Sequence, residues 1–166
     1  LRHDCPSVTT TAARHHLPEN SGSLVQIFKT FQSGQAGRAA FARVWRGEVK
    51  DGQSLGPDRV GSVSSALGRK FTPKGSASAG EVVVLGRMAQ VRSGDTVGSN
   101  SARLKDWPEP PDPQSALAIR AAHPADEAKL STALSRIIDE DPALHTTWRP
   151  ETGETLLAGQ GDIHLQ

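Results

Sequence analysis

The stretch DWPEPPDPQ, Asp106 to Gln114, places four prolines within nine residues. Each proline lacks a backbone donor and biases the residue before it away from helix, so neither a helix nor a central strand can run through this stretch. It reads as a stiff linker, and the chain on either side must build its own body. At 166 residues, 36% of them hydrophobic, there is material for one ordinary domain or two small ones with a packed core. A second loose stretch, HHLPENSGS from His15 to Ser23, sets a short N-terminal remnant apart. The expected organisation is a remnant over 1–20, a first body over 21–105, the linker over 106–114 and a second body over 115–166.

Charge divides at the same place. Residues 20–105 hold 13 Lys plus Arg against 5 Asp plus Glu, a net of +8, and residues 106–166 hold 4 against 11, a net of −7. A basic first body attracts a phosphate backbone through long-range steering and counterion release. The same asymmetry also serves two bodies that dock on each other, and charge alone leaves both readings open. The single cysteine, Cys5, permits no internal disulfide and points to a reducing compartment. No apolar run approaches the roughly 20 residues of a membrane span, and the start lacks a signal-peptide pattern, so no membrane partner is expected. The chain begins with Leu1, which reads as the start of a fragment.

Within the first body the signals are strand and turn. LVQIFKTF (Leu24 to Phe31) and AAFARVWRGEV (Ala39 to Val49) are β-branched and aromatic runs bounded by Gly and Ser, and VVVLG (Val82 to Gly86) is a short apolar run. Asp51-Gly52 is a hairpin-type turn. GQSLG at Gly52 to Gly56 returns as GDTVG at Gly94 to Gly98. Two such turns among short strands predict a closed antiparallel β-barrel, which has no free edges. Phe28, Phe41 and Trp45 are expected in its core.

After the linker the period changes. ALAIRA (Ala116 to Ala121) reads as a strand, and Pro124 opens a helix with Asp126 and Glu127 near its positive end. Leu130, Ala133, Leu134, Ile137 and Ile138 form the apolar stripe of that helix, and Pro142 ends it. Leu144, Thr146 and Trp148 alternate, PETGE turns, and TLLAG follows. Strand, helix, strand, strand and the start of a helix make an incomplete ferredoxin-like β-α-β-β unit. The fold class is therefore mainly β with an α+β second body.

The remaining motifs yield no catalytic seat. GQGDIHLQ (Gly159 to Gln166) has His164 where a dinucleotide fingerprint needs its third glycine, and no Gly-x-x-x-x-Gly-Lys-Ser/Thr phosphate loop occurs in the chain. Its glycines supply a tight strand-to-helix turn with Asp162 as N-cap. His145, Asp162 and His164 lack the helical spacing of a zinc site, and His15-His16 sit side by side in a loop, so no metal is expected. Asp139, Glu140 and Asp141 crowd the negative end of the helix dipole; either they are a solvated acidic cap or something basic faces them. Arg38, Arg43, Arg46 and Lys50 on one hairpin, with Arg69, Lys70 and Lys74 in a Gly- and Ser-rich segment, are each ordinary surface charges. Together they form a candidate phosphate-backbone footprint.

These residues also carry a resemblance. GRAAFARVWRGEVKDGQSL, RVGSV, AGEVVVLG and SGDTVG resemble the second, barrel domain of translational GTPases. KLSTALSRIIDEDPALHTTWRPETGETLLAGQGDIHLQ resembles the third domain of elongation factor G more closely still. The family usually has Gly-Met-Gly-Glu-Leu-His-Leu where Gly159 to Leu165 stand here, and the small-residue loop SSALGRKFTPKGSAS also departs from it. The departures point to an elongation factor G-like paralogue.

The resemblance implies a fragment of a cytoplasmic protein of translation. Its GTPase domain, using GTP and magnesium, lies upstream, with residues 1–20 as the exit from it, so no cofactor and no GTPase activity belong to this segment. The implied partners are the ribosome, through small-subunit RNA and protein, and the other domains of the same chain; no oligomer is implied. Arg38, Arg43, Arg46, Lys50, Arg69 and Lys70 become candidate ribosomal-RNA contacts, and Asp141, Pro142, Gly159, Gly161, Asp162 and His164 candidates for interdomain or ribosome coupling. The competing readings are a self-standing RNA-binding barrel and a ribosomal-protection-type paralogue.

Overall fold

The structure is a computed structural model that describes residues 6–17, 22–34, 37–68, 70–98, 107–166 and the backbone of 102–103. The chain forms two compact units that divide between Trp107 and Pro108, inside the proline-rich stretch.

The first unit opens with a short helix, α1 (Val8–Arg14), and continues as strands: β1 (Leu24–Ser33), β2 (Gly37–Arg46), β3 (Glu48–Lys50), β4 (Ser54–Leu55), β5 (Asp58–Arg59), β6 (Ser62–Leu67), β7 (Lys70–Pro73), β8 (Ser76–Ser78), β9 (Val82–Gly86), β10 (Asp95–Gly98) and β11 (Ala102–Arg103). Seven of them form one sheet in the order β11-β10-β1-β2-β9-β6-β7, and every pairing recorded in it is antiparallel. Among the described residues no ladder joins β11 back to β7, and the antiparallel β body expected from the sequence stands. Two ribbons, β3 with β8 and β4 with β5, contribute Val49, Ala77 and Leu55 to the same core.

That core is aliphatic. Val25 and Ile27 of β1 meet Ala40, Ala42 and Val44 of β2 and Val83 and Leu85 of β9, all within 1% of full burial. Small Ala40 lies opposite Leu85 and Ala42 opposite Val83, so large side chains fit against small ones across the ladder. The aromatic residues are elsewhere, which corrects the expectation for three of them. The ladder slips between Ile27 and Lys29, a bulge that leaves Phe28 unpaired and 38% exposed. Phe41 is half-buried on the opposite face of β2 from Ala40 and Ala42. Trp45 is buried, but in a separate cluster with Ala12 and Leu17 at α1 and with Leu24.

The repeated glycine phrases behave alike. Gly52 and Gly56 have φ of +76° and +62°, and Gly94 and Gly98 have +94° and +132°, so each phrase is a short strand between two left-handed glycines. At Gly98 the requirement is also one of space, because a Cβ there would lie 2.0 Å from the Ser23 carbonyl oxygen. Asp51-Gly52 turns the chain but does not form a hairpin: β3 before it pairs with β8, and β4 after it pairs with β5.

The second unit contains β12 (Ser115–Ile119), a 3-10 turn at Pro124–Asp126, α2 (Glu127–Glu140), β13 (His145–Arg149) and β14 (Glu154–Gly159). The sheet order is β12-β14-β13, with both outer strands antiparallel to β14. Strands β12 and β13 are therefore parallel, linked through α2, with β14 inserted between them. This is the split β-α-β arrangement. Leu134 of α2, Leu144 and Leu157 form its buried cluster, with Leu130 and Ile138 partly buried against it. The rest of the expected helical stripe is out: Ala133 is exposed and Ile137 is 45% exposed. After β14 the chain makes a single turn rather than a helix, in which Leu165 donates to the Gly161 carbonyl. Gly161 thus holds the position expected of Asp162, whose side chain makes no capping bond among the described residues.

Candidate functional site

Alternation along β2 decides where its three arginines go. Arg38 shares the parity of the core residues Ala40, Ala42 and Val44 and Arg43 lies on the other face, while Arg46 follows a register shift at Trp45 and pairs with Leu24. Arg38 Nη1 approaches the carbonyls of Met88, Ala89 and Val91 at 3.0, 2.8 and 2.6 Å, so its charge straps the segment after β9. Arg43 places its guanidinium carbon 4.5 Å from the Trp45 ring centroid, a cation–π contact, and its Nε is buried without a hydrogen-bond partner. Lys50 is exposed and ion-paired with Glu48 at 2.9 Å, and that Lys50 bond holds the Glu48 carboxyl below its ordinary value. Arg46 is half-buried and Lys70 exposed at the start of β7; Arg69 lies outside the described residues. The hairpin cations therefore do not form one tight cluster.

What five strands of the β body share is charge of one sign. Strands β1, β2, β9, β6 and β7 are consecutive in the sheet. They carry Lys29, Arg38, Arg43, Arg46 and Lys70 and no Asp or Glu. The nearest acid in sequence, Glu81, receives the Ser78 N–H at 2.7 Å and pairs with Lys74; the Lys74 bond, then the Ser78 bond, lower its pKa.

In the second unit the structure brings three of the six coupling candidates, Asp141, Gly159 and His164, together. Asp141, the residue after α2, accepts the Ala143 N–H on Oδ1 at 3.0 Å, and its Oδ2 lies 3.0 Å from His164 Nε2. His164 Nδ1 accepts the Gln160 N–H at 3.0 Å. With Nδ1 accepting, the ring proton resides on Nε2 and is donated to Asp141. The His164 ring thus faces Asp141, the last of the three acidic residues at the end of α2. Gly159 is packed shut, since a Cβ there would lie 2.9 Å from Leu165 Cδ2 and 3.0 Å from both His164 Nδ1 and Leu144 Cδ2. Gly161 has open space around it, Pro142 is exposed in the turn after α2, and the exposed Asp162 stays outside the network.

Sequence reasoning missed one member. Gln160 Nε2 donates to the carbonyls of Pro111 at 2.8 Å and Asp112 at 3.1 Å, and the Gln114 N–H donates to the Gly159 carbonyl at 2.8 Å. The proline-rich segment is thereby tied to the glycine turn. The signal was present as Gln160 standing where the resemblance has Met. A groove of about 490 Å³ between α2 and the sheet is lined by Arg120, Glu127, Leu130 and Trp148 among others. Among the described residues no three His, Cys, Asp or Glu gather as metal ligands, and no helix is long and apolar enough to cross a membrane.

An antiparallel β body followed by a split β-α-β unit tied to its leading proline segment defines the class: a two-body segment of translation-factor type. The chain belongs to the elongation factor G family. The family model described as Elongation Factor G, domain III matches residues 110–166. The chain is similar to an elongation factor G-like protein of Synechocystis sp., 37% identical over 165 residues that cover 98% of this chain and 24% of that protein. It is similar to an elongation factor G-like protein of Thermotoga maritima, at 32% identity over 84% of this chain and 21% of that one. A solved crystal structure from Thermus thermophilus matches 96% of this chain and 24% of its own, at 27% identity and a TM-score of 0.77. The chain thus spans about a quarter of the length of these relatives.

Proposed function

We propose that this chain is the RNA-facing β body and the coupling unit of a translational GTPase that works on the ribosome. On this reading residues 1–20 are the exit from a GTPase domain, 21–105 the second domain, 106–114 the linker and 115–166 part of the third. The observation that carries the reading is the run of five neighbouring strands with five cations and no carboxylate, which suits the phosphate backbone of small-subunit ribosomal RNA. The network from Gln160 through His164 to Asp141 supports a coupling role, because hydrogen bonds tie one proline-rich segment, one turn and one helix end together. Elongation in protein biosynthesis, in the cytoplasm, is the proposed setting.

GTP and magnesium belong to the proposed longer protein, and the residues here do not fit them: no Gly-x-x-x-x-Gly-Lys-Ser/Thr loop occurs in the 166 residues. No step of nucleotide chemistry is assigned to this segment. Filter binding with labelled GTP is expected to show retention by the longer protein and none by this chain. A longer protein that ignores GTP would contradict the proposal.

A further inference from the structure

All four phenylalanines of the chain meet on the face of the β body that points away from its core. Ring centroids are 5.1 Å apart for Phe31 and Phe41, 5.7 Å for Phe31 and Phe71, and 5.9 Å for Phe28 and Phe41, the last pair stacked at 25°. Phe31 and Phe41 are half-buried and make the floor, while Phe28 and Phe71 stand on it 38% and 37% exposed. The core is already filled by aliphatic side chains, so this is a second apolar assembly on the surface, and clustered exposed aromatics mark binding faces. The bulge at Phe28 turns that ring outward.

The surroundings select the partner. Lys29 is the cross-strand neighbour of Phe41 and shares its face, and Arg43 lies two residues further along the same side of β2. The strands that build the face carry no acid. Aromatic rings rimmed by cations of one sign match a polyanion that also offers π-faces, which is nucleic acid with its bases unstacked. A duplex hides those faces, so it would reach only the cations.

We propose that Phe28 and Phe71, on their floor of Phe31 and Phe41, are a stacking platform for unpaired RNA bases, with Lys29 and Arg43 holding the adjacent phosphates. This rests on the RNA-binding reading above and adds that the RNA is single-stranded where it meets this face.

The test is fluorescence anisotropy of this chain with a short labelled oligoadenylate and with a duplex RNA of equal length, each over a salt series. Circular dichroism would verify that Phe28→Ala and Phe71→Ala, both surface changes, remain folded. The pair of substitutions is expected to weaken oligoadenylate binding about tenfold or more while leaving duplex affinity and both salt slopes unchanged. Lys29→Ala is expected to flatten the slope instead. Unchanged oligoadenylate affinity in the double variant overturns the platform, as does an equal loss for both RNAs. So does a dimer that dissociates in the variant while RNA affinity holds, which would make the face a protein interface. If the unaltered chain binds neither RNA, the broader RNA-binding reading falls; if duplex binding stays steep in salt while the phenylalanines do not matter, only the platform falls.

Discussion

Two glycines two residues apart have opposite tolerances. Gly159→Ala would push a methyl group against Leu165, His164 and Leu144, and overpacking of that kind costs about 1–3 kcal/mol. Gly161→Ala meets nothing within 4 Å and should stay within about 0.5 kcal/mol. Urea unfolding monitored at Trp148, which sits in the second unit, would separate them; equal costs would contradict the packing described. Glu81 gives a pH signature. Its folded pKa lies below the ordinary 4.5, so its bonds to Lys74 and to the Ser78 N–H contribute above that value and are lost as pH falls through the depressed one. The Ser78 amide resonance is expected to hold its position down to about pH 4.5 and to move only below it. In Glu81→Gln the movement should vanish, and a shift that persists would contradict the assignment. The residues hardest to read were those whose neighbours are remote in sequence. Arg38 looked like a surface charge until the fold brought the Met88, Ala89 and Val91 carbonyls to it. Asp141 and His164 were both singled out, but their meeting needed the turn at Gly159.

Elements were legible wherever period decided them. The runs at Leu24 to Phe31 and Ala39 to Val49 became β1, β2 and β3, and the helix after Pro124 is α2. What period could not foresee was which face each side chain takes. One bulge after Ile27 sent Phe28 out of the core, and no local signal marks a bulge here. In α2 the stripe from Leu130 to Ile138 narrowed to Leu134 and its partly buried neighbours, because among the described residues only Leu144, just before β13, and Leu157 of β14 are buried with it. Core size sets the expected order of opening. The β body holds 15 residues in its main buried cluster and the second unit 3 in its own, among the described residues. Hydrogen exchange should therefore find the amides of β12 to β14 opening well before those of β1, β2 and β9. Uniform protection across both units would contradict that difference.

At the scale of the molecule, the division at the proline-rich stretch and the charge asymmetry were both readable from composition, as was the family from its motifs. The +8 over residues 20–105 and the −7 over 106–166 describe two electrostatic bodies. Distribution of the positive charge required the sheet order, since only there do the acid-free strands β1, β2, β9, β6 and β7 become neighbours. The central claim is that this surface reads a phosphate backbone. Its most direct measurement is the affinity of this chain for small-subunit ribosomal RNA across a salt series. The expected result is a steep linear fall of log K with log salt concentration, since each neutralised phosphate adds about −0.7 to −0.9 to the slope. A slope near zero would contradict the claim.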